Sequence, residues 1–295
     1  SRKDKGRIVS AMKKGKDQRK GPYSAQETIP YKAMYKDGIC RVSESYYTKC
    51  MEFKDGNYQL ATNEDKTAIF ENYCDFLNYF DSSISFQLSF VNQSVDMQRF
   101  KHSIEIPPQD DAFNDVREEY AQMLQDQLTR GNNGIVKRKF ITFGIEADSP
   151  KIAKQRLERI ETDVTNNFKV MGVKTNTLDG YDRLGIFHGV FHADSKEQFL
   201  FNWDLVYKTG LSTKDFIAPT SFDFRDTRSF GMGRKVGAVS FLQILAPELS
   251  DRLLAEYLDM DSDVIVNLHV RSLDQSEAIK MVKRKITDLD GMKID

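Results

Sequence analysis

The pattern of hydrophobic and polar positions between residues 58 and 91 predicts a strand, a helix and a second strand. Thr62 or Asn63 suits the start of the helix, because a side-chain oxygen there accepts an amide hydrogen of the first turn. Apolar residues then recur with the 3.6-residue period of a helix, at Ile69, Tyr73, Phe76, Leu77 and Phe80. From residue 84 the period changes to two, which is typical of a half-buried strand, with Ile84, Phe86, Leu88 and Phe90 on one face.

The remaining elements of the first half are predicted from turn signals and apolar periodicity. They are a hairpin at 40–53 and 58–61, a helix at 112–128, a strand at 135–147 and a helix at 150–171. The hairpin turns at Asp55-Gly56, a pair that tolerates the backbone angles of a tight turn. Ser149 and Pro150 are typical of a helix start, and Gly172 of a helix end. Residues 94–108 leave a weak helix or a loop open.

The second half is less regular at first and then resembles the first half. It predicts a short helix at 181–191, a short strand at 199–203, a loop at 210–219, strands at 222–224, 236–245 and 263–271, and helices after 250 and 274. Residues 236–245 are almost continuously apolar, which predicts a strand buried on both faces. A hairpin near Gly231-Met232-Gly233 precedes that strand.

The order of these elements predicts an α+β fold. We expect two ferredoxin-like, split βαβ units, each with an antiparallel or mixed sheet packed by amphipathic helices. The predicted divisions are a basic, disordered tail at 1–30, a first unit at 31–172 and a second unit at 173–295. No residue-level repeat relates the two units, so this prediction depends on topology alone.

Composition narrows the class of protein. The 295 residues are 40% hydrophobic and 29% charged, with a mean hydropathy of −0.54, which is typical of a soluble protein with a real core. No apolar run is long enough to predict a membrane span or a secretory signal. The three cysteines, Cys40, Cys50 and Cys74, form no Cys-x-x-Cys motif, which favours free thiols in a reducing cytosol.

The net charge of −1 conceals a basic beginning. Residues 1–20 hold nine Lys and Arg residues against two Asp residues, a local charge of +7. Such an arm suits anionic lipid headgroups or nucleic-acid phosphates, although a solvated tail that binds nothing is the simpler interpretation. The candidate contacts with either anion are Lys13, Lys14, Lys16, Arg19, Lys20, Arg234 and Lys235.

No motif in the sequence predicts catalysis, a cofactor or a metal ion. A phosphate-binding loop needs Gly-x-x-x-x-Gly-Lys followed by Ser or Thr, and no such string occurs. The glycine-rich residues 231–237 have the wrong spacing, so a plain hairpin is the favoured interpretation there. His188 and His192 lie four residues apart, but Gly189 replaces the Glu of a zinc protease, which favours a structural role. Residues 259–263 lack the Gly and Glu of a calcium loop.

Several strings resemble a known family. Residues 59–90 are similar to the amino-terminal region of the conjugative-transfer ATPases of type IV secretion, the CagE/TrbE/VirB type, in the form that conjugative transposons of Gram-positive bacteria carry. The similarity continues through Ile141-Thr-Phe-Gly-Ile-Glu-Ala-Asp148 and Leu211-Ser-Thr-Lys-Asp-Phe-Ile-Ala-Pro219. Further strings are 130–134, 156–163, 231–249 and 282–290.

The resemblance implies the function of a docking and assembly domain. In the family this region precedes a RecA-like motor domain, which binds ATP and magnesium, so no Walker residue is expected within these 295 residues and the chain is expected to be inactive alone. The implied partners are inner-membrane components of the secretion machinery and other copies of the ATPase. The implied location is the cytoplasmic face of the cell membrane, where the basic segment has a suitable charge. A nucleic-acid-binding module, using the basic tail and a sheet surface, is the alternative.

Overall fold

A computed structural model describes residues 24–56, 62–94, 113–119, 135–193, 198–244 and 252–292. The helices are α1 (Ala25–Thr28), α2 (Asn63–Tyr79), α3 (Pro150–Val170), α4 (Gly180–Phe191), α5 (Trp203–Thr209), α6 (Arg252–Leu258) and α7 (Gln275–Met292). The strands are β1 (Ala33–Met34), β2 (Cys40–Arg41), β3 (Tyr46–Phe53), β4 (Ile84–Ser94), β5 (Ile135–Glu146), β6 (Thr175–Thr177), β7 (Phe222–Asp223), β8 (Phe230–Met232), β9 (Lys235–Gly237) and β10 (Val264–Arg271). The fold is α+β with antiparallel sheets.

Seven of these strands form one sheet in the order β1-β2-β3-β5-β4-β10, and β6 pairs with the end of β3. Every pair in the sheet is antiparallel. Among the described residues, the elements that build this sheet from β3 to β6 follow in the order β-α-β-β-α-β, with a further helical stretch at 114–119 between β4 and β5. In the sheet, β5 lies between β3 and β4. Strands β7, β8 and β9 form a separate small sheet.

Helices α2 and α3 cover one face of the large sheet. The apolar stripe of α3 is buried, as its period predicts, at Ala153, Leu157, Ile160, Val164 and Phe168. Opposite it, Ile141, Phe143 and Ile145 of β5 have no exposed surface. Phe76 of α2 contacts Phe168 of α3, with 5.0 Å between ring centroids, so the two helices share one core.

One charged pair lies within this buried layer. The ammonium group of Lys49, on β3, pairs with the carboxylate of Glu161, on α3, and the two side chains are only 7% and 17% exposed. The hydroxyl of Thr177 donates a second hydrogen bond to Glu161, which links α3 to β6. A buried charge is tolerated when it is paired and hydrogen-bonded in this way.

The helix starts agree with their sequence signals. The Thr62 hydroxyl accepts a hydrogen bond from the Asp65 amide at 3.2 Å, and the Ser149 hydroxyl accepts one from Ile152 at 3.4 Å. Strand β5 and helix α3 also lie within two residues of their predicted bounds. The strand predicted at 58–61, most of the helix at 112–128 and the ambiguous residues 95–108 lie outside the described residues.

Two predictions for the second half are wrong. Residues 199–202 form no strand, and Trp203 begins α5 because the Asn202 side chain caps that helix through the Asp204 amide. The strand predicted at 236–245 is limited to β9, and residues 238–244 form no strand. Apolar character alone does not make a strand, because each strand also needs a hydrogen-bonded neighbour.

The last strand and helix form as predicted, but the strand joins the first sheet. Strand β10 pairs with β4 from Val264 opposite Asn92 to Arg271 opposite Ser85. The amide of Ser276 donates to the Asp274 carboxylate at 2.9 Å, as expected at the start of α7. Among the residues that the structure describes, no helix is long and apolar enough to cross a membrane.

Replacing Leu157 with Ala tests the core that α3 forms with the sheet. Leu157 has no exposed surface, so the change leaves a cavity, and we expect the free energy of unfolding to fall by about 2–5 kcal/mol. Ile152→Ala is the matched control on the same helix, because Ile152 is 45% exposed and its loss should cost less than about 1 kcal/mol. Urea denaturation followed by circular dichroism measures both, and equal losses would contradict this packing.

Candidate functional site

A groove of about 710 Å³ lies on the sheet face opposite α2 and α3. Helix α4 forms one wall with Ile186, Phe187, Val190 and Phe191. The floor is formed by side chains of β3, β5, β4 and β10 that alternate with those of the buried core. We call this feature the sheet groove.

The floor of the sheet groove is polar where β4 meets β10. The Gln87 amide donates to the Ser89 hydroxyl at 2.7 Å and to the Asn267 side-chain oxygen at 2.9 Å. Ser89 donates in turn to the same Asn267 oxygen at 2.6 Å. These groups stand on adjacent strands in register, because Asn267 lies opposite Ser89 and His269 lies opposite Gln87.

Two glycines of α4 allow the wall to approach its neighbours closely, Gly180 at the turn after β1 and Gly189 at strand β4. A Cβ atom on Gly180 would lie 2.3 Å from the Tyr35 carbonyl oxygen, and one on Gly189 would lie 2.5 Å from the Gln93 amide nitrogen. Asp179 caps this helix by accepting a hydrogen bond from the Asp182 amide at 2.9 Å. The apolar side of α4 therefore sits beside a polar sheet surface, with a gap between them.

A buried cation, Arg183, lines the inner part of the groove. Its guanidinium donates to the carbonyl oxygens of Gly38 at 2.7 Å and Thr48 at 3.1 Å, and to the Thr48 hydroxyl at 3.2 Å. No carboxylate among the described residues forms an ion pair with it. The side chain ties α4 to the turn before β2 and to β3, and Gly38 occupies that turn with a φ of 80°.

Two thiols and a phenol lie near Arg183. Burial raises the pKa of the Cys40 and Cys50 thiols, and the Arg183 cation opposes this effect without cancelling it. Burial also raises the pKa of Tyr31 to about 12, and the Tyr31 hydroxyl lies 2.9 Å from that of Thr213. All three groups are therefore protonated at neutral pH, which makes the thiols poor nucleophiles.

The end of β3, outside the groove lining, carries a carboxylate shared by two cations. Burial alone would raise the pKa of Glu52, but hydrogen bonds from Arg138 at 2.9 Å and Lys54 at 2.9 Å outweigh it and lower that pKa. The Arg138 guanidinium also lies 4.9 Å from the centre of the Phe140 ring. This arrangement is an ion-pair cluster that fixes the end of β3.

Of the predicted contact residues, the two that the structure describes do not lie at this groove. Lys13, Lys14, Lys16, Arg19 and Lys20 lie outside the described residues. Arg234 and Lys235 lie at the β8–β9 hairpin, which the glycine-rich spacing predicts correctly, and Gly233 has the positive φ of 58° that the turn needs. Neither residue lines the sheet groove.

His188 of α4 and His192, which directly follows the helix, stack on each other. The ring centroids of His188 and His192 are 4.2 Å apart, and His188 also packs on Phe199 at 5.3 Å. The described ranges contain no group of three or more His, Cys, Asp or Glu side chains that could hold a metal ion. The pair therefore belongs to an aromatic cluster behind the wall of the groove.

Sequence reasoning missed the groove residues for two reasons. Gln87 and Ser89 alternate with apolar residues and looked like the solvent face of a half-buried strand, and nothing in the sequence places Asn267 beside them. Arg183 carries no local signal, since its three acceptors come from residues more than a hundred positions away.

The chemistry of the sheet groove favours binding. Its apolar wall and amide-lined floor offer contact area and hydrogen bonds, which are the features of protein and ligand docking surfaces. Comparison with known proteins gives no further guide, because no family model and no curated protein matches the chain. The family resemblance therefore stays a prediction.

The thiols provide a test of the groove's interior. At pH 8 we expect an alkylating reagent to modify the half-buried Cys74 about tenfold faster than Cys40 or Cys50, because those thiols are buried and their thiolate form is disfavoured. Peptide mass spectrometry measures the three rates, and denaturant should make them converge. Equal rates in the folded protein would contradict the structure.

The same pKa shifts set a direction for stability. Thiols in the unfolded chain lose their protons at a lower pH than the buried thiols of Cys40 and Cys50. The contribution of these two thiols to the free energy of unfolding is therefore complete below the ordinary Cys pKa of about 8.5. Above that pH the two thiols favour the unfolded chain, and their contribution is lost as the pH rises through their folded values. Urea midpoints at pH 7 and pH 10, compared with a Cys40→Ala and Cys50→Ala variant, isolate this contribution.

Proposed function

We propose that this chain is an amino-terminal docking and assembly domain of a conjugative DNA-transfer ATPase of type IV secretion. The observation that carries the proposal is the sheet groove, whose apolar wall and polar floor are suited to receiving a protein segment. The family strings at 59–90, 141–148 and 211–219 supply the identity of the parent protein.

The proposal implies particular partners, a separate nucleotide-binding domain and a cellular location. The partners are inner-membrane components of the secretion machinery and further copies of the ATPase. ATP and magnesium belong to the RecA-like motor domain, because the 295 residues contain no Walker string. The chain works at the cytoplasmic face of the membrane, where residues 1–20 lie near anionic lipid.

The proposal includes a ferredoxin-like arrangement of the first unit. Strands β6, β3, β5 and β4 are neighbours in that order, and the connecting helices α2 and α3 lie on one face. This is the strand order of a split βαβ unit, and it supports such a unit in the first half, but β6 at Thr175–Thr177 lies just beyond the boundary predicted at residue 172. The second predicted unit has less support, because its strand β10 belongs to the same sheet.

Overproducing this chain in a donor cell that carries the parent conjugative element tests the docking function. The excess chain occupies the docking partner by mass action, so we expect the transfer frequency to fall by about tenfold. Val190→Asp places a charge on the wall of the sheet groove and should abolish this inhibition. Tyr207→Asp is the control, because Tyr207 is 72% exposed and does not line the groove.

Mating counts on selective plates give the result directly. Inhibition by the unchanged chain and by Tyr207→Asp, but not by Val190→Asp, supports docking through the groove. Unchanged transfer at high expression contradicts the proposal, and equal inhibition by all three proteins contradicts the role of the groove. Circular dichroism of the purified variants establishes that each is folded.

One observation favours the alternative of a nucleic-acid-binding module. In the small sheet, Phe222 stacks on Phe224 and Phe224 on Phe230, with 5.7 and 5.9 Å between ring centroids. Phe224 is 62% exposed, and Arg234 lies at the exposed turn of the same sheet. Exposed aromatic rings beside cations are the elements that stack single-stranded nucleic acid.

Fluorescence anisotropy with a single-stranded DNA oligonucleotide tests this alternative. It requires binding that weakens steeply as salt rises, since Lys and Arg release counterions from phosphate. Deleting residues 1–20 and replacing Phe224 with Ala should each weaken that binding, whereas Tyr207→Ala, at an exposed aromatic residue elsewhere, should not. If docking is the function, no salt-dependent signal should appear even at low salt.

A further inference from the structure

Strand β10 ends the large sheet with one edge unused. Its inner edge pairs with β4 along the whole strand, from Val264 opposite Asn92 to Arg271 opposite Ser85. No strand in the part of the chain that the structure describes pairs with the outer edge. The outer amide and carbonyl groups of Val264–Arg271 therefore form a template for another strand.

This edge has few of the features that keep natural edge strands from pairing, and its one Lys or Arg side chain is Arg271 at its end. Val264–Arg271 contains no Pro, Lys or Gly, and its ladder with β4 runs without a bulge. Apolar side chains are exposed on both of its faces, with Ile265 at 42% and Leu268 at 41%. A strand with a free edge and exposed apolar side chains is unfavourable in water, so we expect it to have a partner.

A second feature is a mostly apolar segment, residues 238–244, whose side chains are exposed to solvent. Residues 238–244 follow β9 directly and are mostly apolar, yet they form no strand. Val239, Phe241 and Ile244 are 83%, 86% and 83% exposed. Such a contiguous apolar surface marks an interaction site.

We propose that the outer edge of β10 is a strand-accepting surface and that residues 238–244 of the same chain, which are unpaired in this structure, occupy it in a second conformation of the chain. The two features complement each other. Residues 238–244 have the apolar side chains of a strand but no hydrogen-bonded neighbour, and the outer edge of β10 has backbone groups free to hydrogen-bond a further strand. Pairing would satisfy the backbone groups of both and would bury the exposed apolar residues of the segment.

The length of chain between residues 238–244 and β10 favours pairing within one chain. Residues 245–263 separate them, and α6 lies in this connection. Parallel strands are joined by a crossover of about a dozen or more residues that usually contains a helix, and this connection has that form. The end of α6 already lies at the start of β10, because the Asn92 side-chain amide donates to the Leu258 carbonyl at 2.7 Å.

The near-continuous apolar character of the segment fits a parallel strand with both faces covered. Helix α7 follows β10 after a short turn, and its apolar stripe is also exposed, with Ile279 at 47% and Val282 at 53%. A sheet widened by residues 238–244 would give this stripe a surface to cover. The pairing would therefore cover apolar side chains of β10, of residues 238–244 and of α7 together.

A cysteine scan tests the pairing. In a Cys74→Ser background, Ser240→Cys is combined in turn with cysteine at each of Val266, Asn267, Leu268 and His269, and mild oxidation is followed on non-reducing gels. Successive side chains of a strand point to opposite faces, so cross-linking should alternate along β10. The product should migrate as a cross-linked monomer. Equal cross-linking at all four positions, or none, would overturn the proposal.

A second copy of the chain is the competing occupant, and mixing separates it from the proposal. Protein with only Ser240→Cys is mixed with protein carrying only one β10 cysteine and oxidised under the same conditions. A cross-linked dimer in this mixture, without the cross-linked monomer in the double variants, would assign the edge to a second copy. Absence of the mixed dimer supports pairing within one chain.

Hydrogen exchange provides a measurement that needs no cysteine. The amides of residues 239–244 should exchange at least about tenfold more slowly than an unstructured chain, since half of them would enter the ladder. Leu242→Asp should remove this protection, whereas Tyr207→Asp should not, although both residues are 72% exposed in this structure. Exchange of these amides at unprotected rates in the unchanged protein would contradict the pairing.

Discussion

The contact on which the rest of the structure depends is the packing of α3 against the inner face of β5. Leu157 and Val164 of the helix and Ile141 and Phe143 of the strand have no exposed surface, so water is excluded from this layer. Burying such side chains is the main favourable term in folding. The antiparallel pairs of β5 with β3 and β4 carry this core across the sheet, and α2 joins it through Phe76.

Covering one face of the sheet determines what the other face can do. Because side chains alternate along each strand, an apolar inner face at Ile141 and Phe143 places Phe140 and Thr142 on the opposite side. There α4 lies over the sheet, held by Arg183 and by the close approach of Gly180 to Tyr35, and residues 29–31 also line the groove. The sheet groove is the space that these segments leave uncovered, and its polar floor is stable in water because its amides and hydroxyls bond to each other.

The two ends of the large sheet differ in edge-strand pairing and in the burial of their apolar side chains. At the β3 end, β2 and β6 share one edge, and the Lys49–Glu161 pair fixes β3 beneath α3. At the β10 end the edge is unpaired within the described residues, and the apolar residues of α7 and of 238–244 face solvent. Uncovered apolar area of this kind costs free energy, which makes this end the place where a further chain segment has most to contribute.

The sequence by itself determined the elements whose periodicity is long and uninterrupted. The stripe of α3, the alternation in β4 and the caps at Thr62 and Ser149 are local signals, because they depend on spacing within one segment. Only the tertiary structure decided that Lys49 is buried against Glu161, that Arg183 reaches β3, and that β10 joins β4. Residues 236–245 show the limit of the local signal: they are apolar enough for a strand, but pairing depends on an edge supplied from elsewhere in the chain. Hydrophobic period is a property of neighbours in sequence, whereas hydrogen-bonded ladders and ion pairs join residues that only folding brings together.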